Sequence, residues 1–214
     1  MRLSLIAMSG SGKSYWANQL AGNGFKCFSC DEMIASKLSD ELIQPDRSVM
    51  PLGKWMGLPY QQNYLERESK YLATEKQVLK EIFKIIETNY SDSSSNIVID
   101  TTGSVIYTGK EILNKLRKYT RVVHLATPLH IQDKMYQAYL ARPRPVLWRG
   151  KFSTKSHEKN KEALGRCYPE LVAFRERLYK HYAHISIDYN RYRKKGLKVT
   201  DFLREVNLPS GSDF

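Results

Sequence analysis

The chain has 214 residues, 42% apolar and 26% charged, which is a globular composition with enough length for a sizeable core and excludes a disordered chain. Its net charge of +12 suits anionic partners, whether nucleic acid, an acidic membrane surface or a phosphate-bearing substrate. No apolar run reaches the length of a membrane span, and three cysteines make no disulfide framework, so a cytoplasmic protein is expected.

Leu3-Ser4-Leu5-Ile6 reads as a first strand, and Tyr15 to Leu20 as the opening of a helix. Between them lies Ala7-Met8-Ser9-Gly10-Ser11-Gly12-Lys13-Ser14. A tight strand–loop–helix turn of this kind surrounds a polyphosphate with backbone N–H groups and the positive end of the helix. The spacing predicts nucleotide contacts from Ser9, Gly10, Ser11, Gly12, Lys13, Ser14 and Tyr15, with Lys13 on the β- and γ-phosphates and Ser14 on Mg²⁺. Ala7 replaces the first glycine of the usual pattern, which is tolerable where the backbone keeps φ negative. The run from Leu3 to Met8 is too short for a signal-peptide core and leads straight into this loop.

Phe25 to Ser29 reads as a second strand and Asp31 to Leu38 as a short helix. Ser39 to Leu58 is broken by Pro45, Pro51, Gly53 and Gly57, although Trp55 and Met56 suggest that part of it packs down or covers a site. A long helix follows from Tyr60, with Leu65, Leu72, Leu79, Ile82, Phe83 and Ile86 at helical steps, and ends in the polar run Ser91 to Ser95. Asn96 to Asp100 is an apolar strand closed by a carboxylate; Lys110 to Tyr119 is a helix and Arg121 to Ala126 a strand. A helix near Ile131 to Leu140 leads into a basic, proline-broken stretch from Ala141 to Lys155. Pro169 to Tyr182 reads as a helix, His184 to Ile187 as the last strand and Val199 to Val206 as the last helix. Strands alternating with helices predict a parallel sheet covered on both faces, in a single domain over 1–214 with an insertion about 141–165.

Several side chains carry candidate chemistry, each with a plainer alternative. Asp31 after the second strand is either a helix N-cap or the group that takes a proton from an acceptor hydroxyl. Asp100 is either a turn-capping aspartate or a Walker B carboxylate holding Mg²⁺. Thr101 to Ser104 follow it at the carboxyl end of a strand, where open α/β sheets place their ligands. Arg142-Pro143-Arg144-Pro145-Val146-Leu147-Trp148-Arg149 is either a solvated basic loop or an arginine lid over a triphosphate. The tract Arg191 to Lys195 reads as an exposed turn, and the five histidines as structural or surface residues. Cys27-Phe28-Ser29-Cys30 spells C-x-x-C without further ligands at zinc spacing; a redox motif and two small residues at a strand end both remain open.

Taken together, these pieces resemble the shikimate-kinase-like group of P-loop kinases. Met8 to Ser14 resembles that family's phosphate loop, and Phe28-Ser29-Cys30-Asp31 its second strand, which ends in Asp-x-Asp. Arg144-Pro145-Val146-Leu147 is similar to the lid signature R-P-L-L, and Arg175-Glu176-Arg177-Leu178-Tyr179 to the R-x-P-L-Y helix. The resemblance implies a three-layer α/β/α sandwich around a five-stranded parallel sheet of order 2-3-1-4-5, with ATP, Mg²⁺ and a mobile arginine-rich lid. It implies Lys13, Asp31 and Arg144 as catalytic groups, Asp31, Gly103 and Arg175 around the acceptor, and Ser14 on the metal, which Asp100 joins on the Walker B reading. The departures fall in the acceptor pocket. Ser29 stands for the first Asp, Thr101-Thr102-Gly103 for Gly-Gly-Gly, and Tyr64-Leu65-Glu66-Arg67-Glu68 for F-R-x-x-E, with Leu65 where an arginine clamps the shikimate carboxylate. The expectation is an ATP-dependent phosphotransferase acting on a hydroxyl of a small metabolite, shikimate-kinase-like but not shikimate-specific. A polynucleotide or nucleotide kinase and a non-catalytic ATP-binding switch are the alternatives.

Overall fold

The computed structural model describes residues 1–90, 95–142 and 144–208. Five parallel strands, β1 (Arg2–Ile6), β2 (Lys26–Ser29), β3 (Ile97–Asp100), β4 (Arg121–Leu125) and β5 (Ile185–Ile187), lie in the order β2-β3-β1-β4-β5, the order that the resemblance implied. The helices are α1 (Lys13–Ala21), α2 (Cys30–Lys37), α3 (Ser39–Leu42), α4 (Leu52–Met56), α5 (Tyr64–Asn89), α6 (Lys110–Tyr119), α7 (Leu129–Ala141), α8 (Asn160–Tyr182), α9 (Tyr189–Tyr192) and α10 (Val199–Asn207).

The strands are short apolar runs because both faces of the sheet are covered. Leu3, Leu5, Val98, Val123 and Leu125 point to one layer, where they pack with Trp16 and Leu20 of α1 and Phe202 and Val206 of α10. Trp16 and Phe202 stack with centroids 4.1 Å apart. Ile6, Ile97, Ile99 and Val122 point to the other layer, built from α2, α5, α6, α7 and α8. The one polar residue inside β1, Ser4, is satisfied by the Thr120 hydroxyl at 2.7 Å. His124 in β4 is buried between the Glu176 carboxylate and the Ser186 hydroxyl, each at 3.0 Å, which agrees with a structural role.

Three boundaries differ from the sequence reading. The segment 39–58 holds two short helices, α3 and α4, and does bury Trp55 and Met56. The long helix starts at Tyr64, and the polar run expected after it lies, at 91–94, outside the described residues. Helix α8 begins at Asn160, nine residues ahead of the expected Pro169, which sits inside it. The Glu162 carboxylate accepts the Lys159 N–H at 3.2 Å and fixes that earlier start. Among the described residues no helix is long and apolar enough to cross a membrane.

Register sets the site. Leu5 of β1 and Ser29 of β2 both lie opposite Asp100 of β3, so the three strands end on one line. The segments after Ile6, Ser29 and Asp100 therefore converge at the carboxyl edge of the sheet, beside central β1.

Candidate active site

Gly12 caps α1 with φ of 108° and no side-chain hydrogen bond, a left-handed turn that an L side chain rarely adopts. It leaves the first-turn N–H groups of α1 aimed at the loop, which is the electrostatic basis of a phosphate cradle. Ala7, by contrast, is absent from the described positive-φ residues, so its methyl group fits where a glycine is usual. Lys13 is buried, its Nζ donating to the carbonyls of Ala7 at 3.2 Å and Met8 at 3.4 Å. Burial holds that ammonium below its ordinary range, opposed by the charges of Asp100 and Asp31. Arriving phosphate oxygens would add the negative charge that the burial lacks.

Asp31 is not the cap of α2. Ser29 has that place, its hydroxyl 3.4 Å from the Glu32 N–H that donates to it. The Asp31 carboxylate accepts the Tyr71 hydroxyl at 2.8 Å and lines the cleft. Asp100 does not cap a turn either. Its Oδ1 is buried without a hydrogen-bond partner among the described residues, and the Ser14 side chain lies close enough to draw the carboxyl down. Desolvation raises the Asp100 carboxyl above its ordinary range, against the pull of Lys13 and Ser14. An orphaned carboxylate oxygen beside a loop hydroxyl is an oxygen donor set for a hard divalent cation.

One cleft of about 430 Å³ gathers Ser9, Gly10, Gly12, Lys13, Ser14, Tyr15, Asp31, Gly103 and Arg144. Asp100 and Ser11 lie buried beneath it. A second cavity of about 470 Å³ continues from Ser9 and Gly10 between α7 and the arm at Arg142 and Arg144, lined by Met135, Tyr139, Tyr168 and Tyr189. Nearly all the site residues singled out in the sequence thus meet at one place.

Arg175 meets them from behind. Only 1% exposed, it donates to the Gly103 carbonyl at 3.2 Å and to the Leu147 carbonyl, with its guanidinium carbon 5.3 Å from the Tyr107 ring. It does not line the cleft; it ties the turn after β3 to the segment after α7. That segment is packed down: Val146, Leu147 and Trp148 are buried. The Tyr64 hydroxyl lies 2.8 Å from both Glu68 Oε1 and the Val146 carbonyl oxygen, and accepts the Trp148 N–H at 2.8 Å. Glu68 also accepts the Arg149 N–H at 2.9 Å.

The expected place of Leu65 is corrected. Leu65 is 69% exposed, because this end of α5 is covered only on the side of Tyr64 and Glu68. The residues of α5 that face Asp31 and the turn after β3 are Tyr71 and Glu75, two turns further on. Glu75 is fully buried and accepts the hydroxyls of Thr102 and of Ser104, the latter at 2.6 Å. Burial pushes its carboxyl up to about 7, despite the two hydroxyls.

Arg193 was hidden in a tract that reads as an exposed turn. Its Nη2 donates to the Ser11 carbonyl at 3.0 Å and reaches 3.0 Å from where a Cβ on Gly12 would stand. No sequence signal marks it, since its neighbours are equally basic. Cys27, Cys30 and Cys167 are free thiols, and burial pushes Cys27 up to about 11 and Cys30 well above the thiol range. Among the described residues no group of three or more His, Cys, Asp or Glu could hold a metal.

No protein-family profile and no curated protein matches the chain. Solved structures do. Shikimate kinase from Acinetobacter baumannii in complex with shikimate is 19% identical, with a TM-score of 0.57 over 96% of this chain and 89% of that one. Shikimate kinase from Aquifex aeolicus is 17% identical, with 0.57 over 96% of each. Dephospho-CoA kinase from Campylobacter jejuni is 12% identical, with 0.50 over 96% of each. At these identities the likeness is one of fold: the chain has the α/β fold of the P-loop kinases.

Proposed function

We propose that the chain is an ATP-dependent phosphotransferase that moves the γ-phosphoryl group of ATP to a hydroxyl of a small metabolite. The observation that carries this reading is the single cleft in which the Asp31 carboxylate shares the space of Lys13 and Arg144 above the phosphate loop. The acceptor hydroxyl donates to Asp31 and its oxygen attacks phosphorus. The new O–P bond forms as the β,γ-bridging O–P bond breaks, its electron pair leaves on ADP, and the hydroxyl proton passes to Asp31. Lys13 exchanges the carbonyls of Ala7 and Met8 for phosphate oxygens, and Arg144 neutralises charge on the transferring group. Ser14 and Asp100 fit Mg²⁺, which supplies charge neutralisation on the phosphates when bound.

In this reading the chain is one domain and 141–165 is its lid. Because Val146 to Trp148 are already buried, the arm that closes is the part that carries Arg144 and Pro145. The test is phosphate transfer from ATP with Mg²⁺ over hydroxylated metabolites and over RNA and DNA ends, with wild type and Lys13→Ala side by side. Lys13→Ala should lower kcat by roughly a hundredfold or more while the fold is retained. Transfer that survives Lys13→Ala refutes the mechanism. Transfer confined to nucleic-acid ends favours a polynucleotide kinase, and ATP binding without any transfer favours a switch.

A further inference from the structure

Arg193 reaches the cleft from the far end of the chain. It follows α9, on the segment that leaves β5, and that segment is tied to the layer of α1. The Tyr192 carbonyl accepts the Trp16 indole N–H at 3.2 Å. The Tyr192 hydroxyl, on a residue only 1% exposed, donates to the Ala126 carbonyl at 3.1 Å. The Arg193 N–H itself donates to the Tyr189 carbonyl at 2.9 Å. The backbone that carries this arginine is therefore fixed against the helix that follows the Met8 to Gly12 turn.

The guanidinium lies against that turn. Its Nη2 donates to the Ser11 carbonyl, and Nη2, Cζ and Nε stand 3.0, 3.1 and 3.4 Å from where a Cβ on Gly12 would be. Three such similar distances put the flat face of the group, not its edge, on Gly12. Its Cζ also lies 5.8 Å from the centroid of the Tyr189 ring, a spacing at which a ring attracts a cation. A guanidinium presents a fork of donors, and the Ser11 carbonyl engages one nitrogen of it. Among the described residues no carboxylate lies within ion-pairing distance of Arg193, whereas Arg191, two places earlier, is paired with Glu205 at 2.7 Å. Arg193 lines the same cleft as Lys13, Ser14 and Arg144. A charged fork held on the wall of a cleft, with no carboxylate of its own, is matched by the oxygens of a phosphate.

From this placement we infer that Arg193 is a polyphosphate-binding residue, whose guanidinium donates to non-bridging oxygens of the nucleotide's phosphate chain. The inference rests on the nucleotide site of the phosphotransferase reading and deepens it. Arg144 belongs to the arm that closes. Arg193 is already seated on the body of the fold before a ligand arrives, so its effect falls on nucleotide affinity.

The test is calorimetric titration of the full chain with ATP, comparing wild type, Arg193→Gln, Arg193→Lys and Arg191→Gln. Urea unfolding of each protein without ligand runs beside it. Arg193→Gln is expected to weaken ATP binding roughly tenfold or more. Arg193→Lys keeps the charge without the fork and is expected to recover part of that loss. Arg191→Gln, which removes an equal charge from a residue already paired with Glu205, is expected to leave ATP affinity unchanged. The gap between wild type and Arg193→Gln should narrow between about 0.05 M and about 0.5 M KCl, because salt screens an exposed charge contact. An ATP affinity that Arg193→Gln leaves unchanged overturns the inference, and Lys13-dependent transfer then leaves the phosphotransferase standing. An equal loss in Arg191→Gln overturns it as well, since net surface charge would then be the cause. So does a loss that follows the drop in ligand-free stability, persists in Arg193→Lys and ignores salt, because Arg193 would then be only a tie to Ser11. A wild type that does not bind ATP overturns both readings. ATP binding that needs Arg193, with no transfer to any acceptor, overturns the phosphotransferase alone.

Discussion

Glu75→Gln should make the protein's stability less sensitive to alkali. Glu75 is fully buried on α5, held by the Thr102 and Ser104 hydroxyls, and burial lifts its carboxyl from 4.5 to about 7. Between those values the folded protein keeps a proton that the unfolded chain has released. Its contribution is therefore fully present below about pH 4.5 and is lost as pH rises through 7. Integrated from pH 5 to pH 8, a shift of this size costs the wild type about 2–3 kcal/mol. Glutamine has nearly the same shape and no charge. Its amide can accept one hydroxyl and donate to the other, and the two hydroxyls are only 2.8 Å apart, so they can rotate to suit. Urea unfolding of both proteins at pH 5 and at pH 8 isolates the effect, since every other titrating group is common to both. The variant should gain about 2–3 kcal/mol on wild type between the two pH values. A difference that does not change with pH would refute the account, because the carboxyl would then titrate alike in folded and unfolded chains.

Arg175→Leu leaves the Leu147 carbonyl without its donor, while the Gly103 carbonyl keeps the Tyr179 hydroxyl, and for one unsatisfied group the loss of stability should reach about 1–3 kcal/mol in urea unfolding. The same variant should be cut faster by trypsin at Arg149, since the segment that precedes it has lost its tie to α8; unchanged cleavage would show that Tyr64 and Glu68 suffice to hold it. Gly103→Ala would place a Cβ 3.2 Å from the Ser9 nitrogen and 3.4 Å from Arg175 Nη1. Overpacking at this spot should cost about 1–3 kcal/mol and shift the phosphate loop, weakening ATP binding by calorimetry while Gly22→Ala, with contacts of 3.6 Å or more, does not.

The sheet was legible because its chemistry is local. A strand buried on both faces must be apolar along its length, and Leu3, Leu5, Ile97 to Ile99, and Val122 and Val123 are. The turn from Met8 to Ser14 was legible for the same reason, since its shape is set by adjacent backbone, with Gly12 at a φ of 108°. What depends on distant contacts was not legible. Pro169 reads as a helix start, yet inside α8 it forgoes a bond to the carbonyl of Gly165 and the helix continues through it. Arg175 reads as a ligand for the acceptor, and only the docked Leu147 carbonyl shows that its guanidinium is occupied. Arg193 lies 182 residues from Ser11 in the chain, and nothing near it in sequence tells it from Arg191.

The misplaced Leu65 has a more definite cause. Helix α5 carries Tyr-Leu-x-x-Glu twice, as Tyr64-Leu65-Glu66-Arg67-Glu68 and as Tyr71-Leu72-Ala73-Thr74-Glu75. Seven residues bring a helix back to nearly the same face, about 10 Å further along. Periodicity cannot choose between two copies that share a face; the elements they meet must. The first copy meets the segment after α7, with Tyr64 on Val146 and Trp148 and Glu68 on Arg149. The second meets the carboxyl edge of the sheet, with Tyr71 on Asp31 and Glu75 on the Thr102–Ser104 turn. Arg175 closes the circuit from the far side, since one guanidinium bonds the segment after α7 at Leu147 and the turn at Gly103. The segment at Val146 to Arg149 and the Asp31 carboxylate are thus fixed to one continuous helix, which one buried cation braces from α8. Where that segment sits and where Asp31 points are, on this construction, a single structural variable.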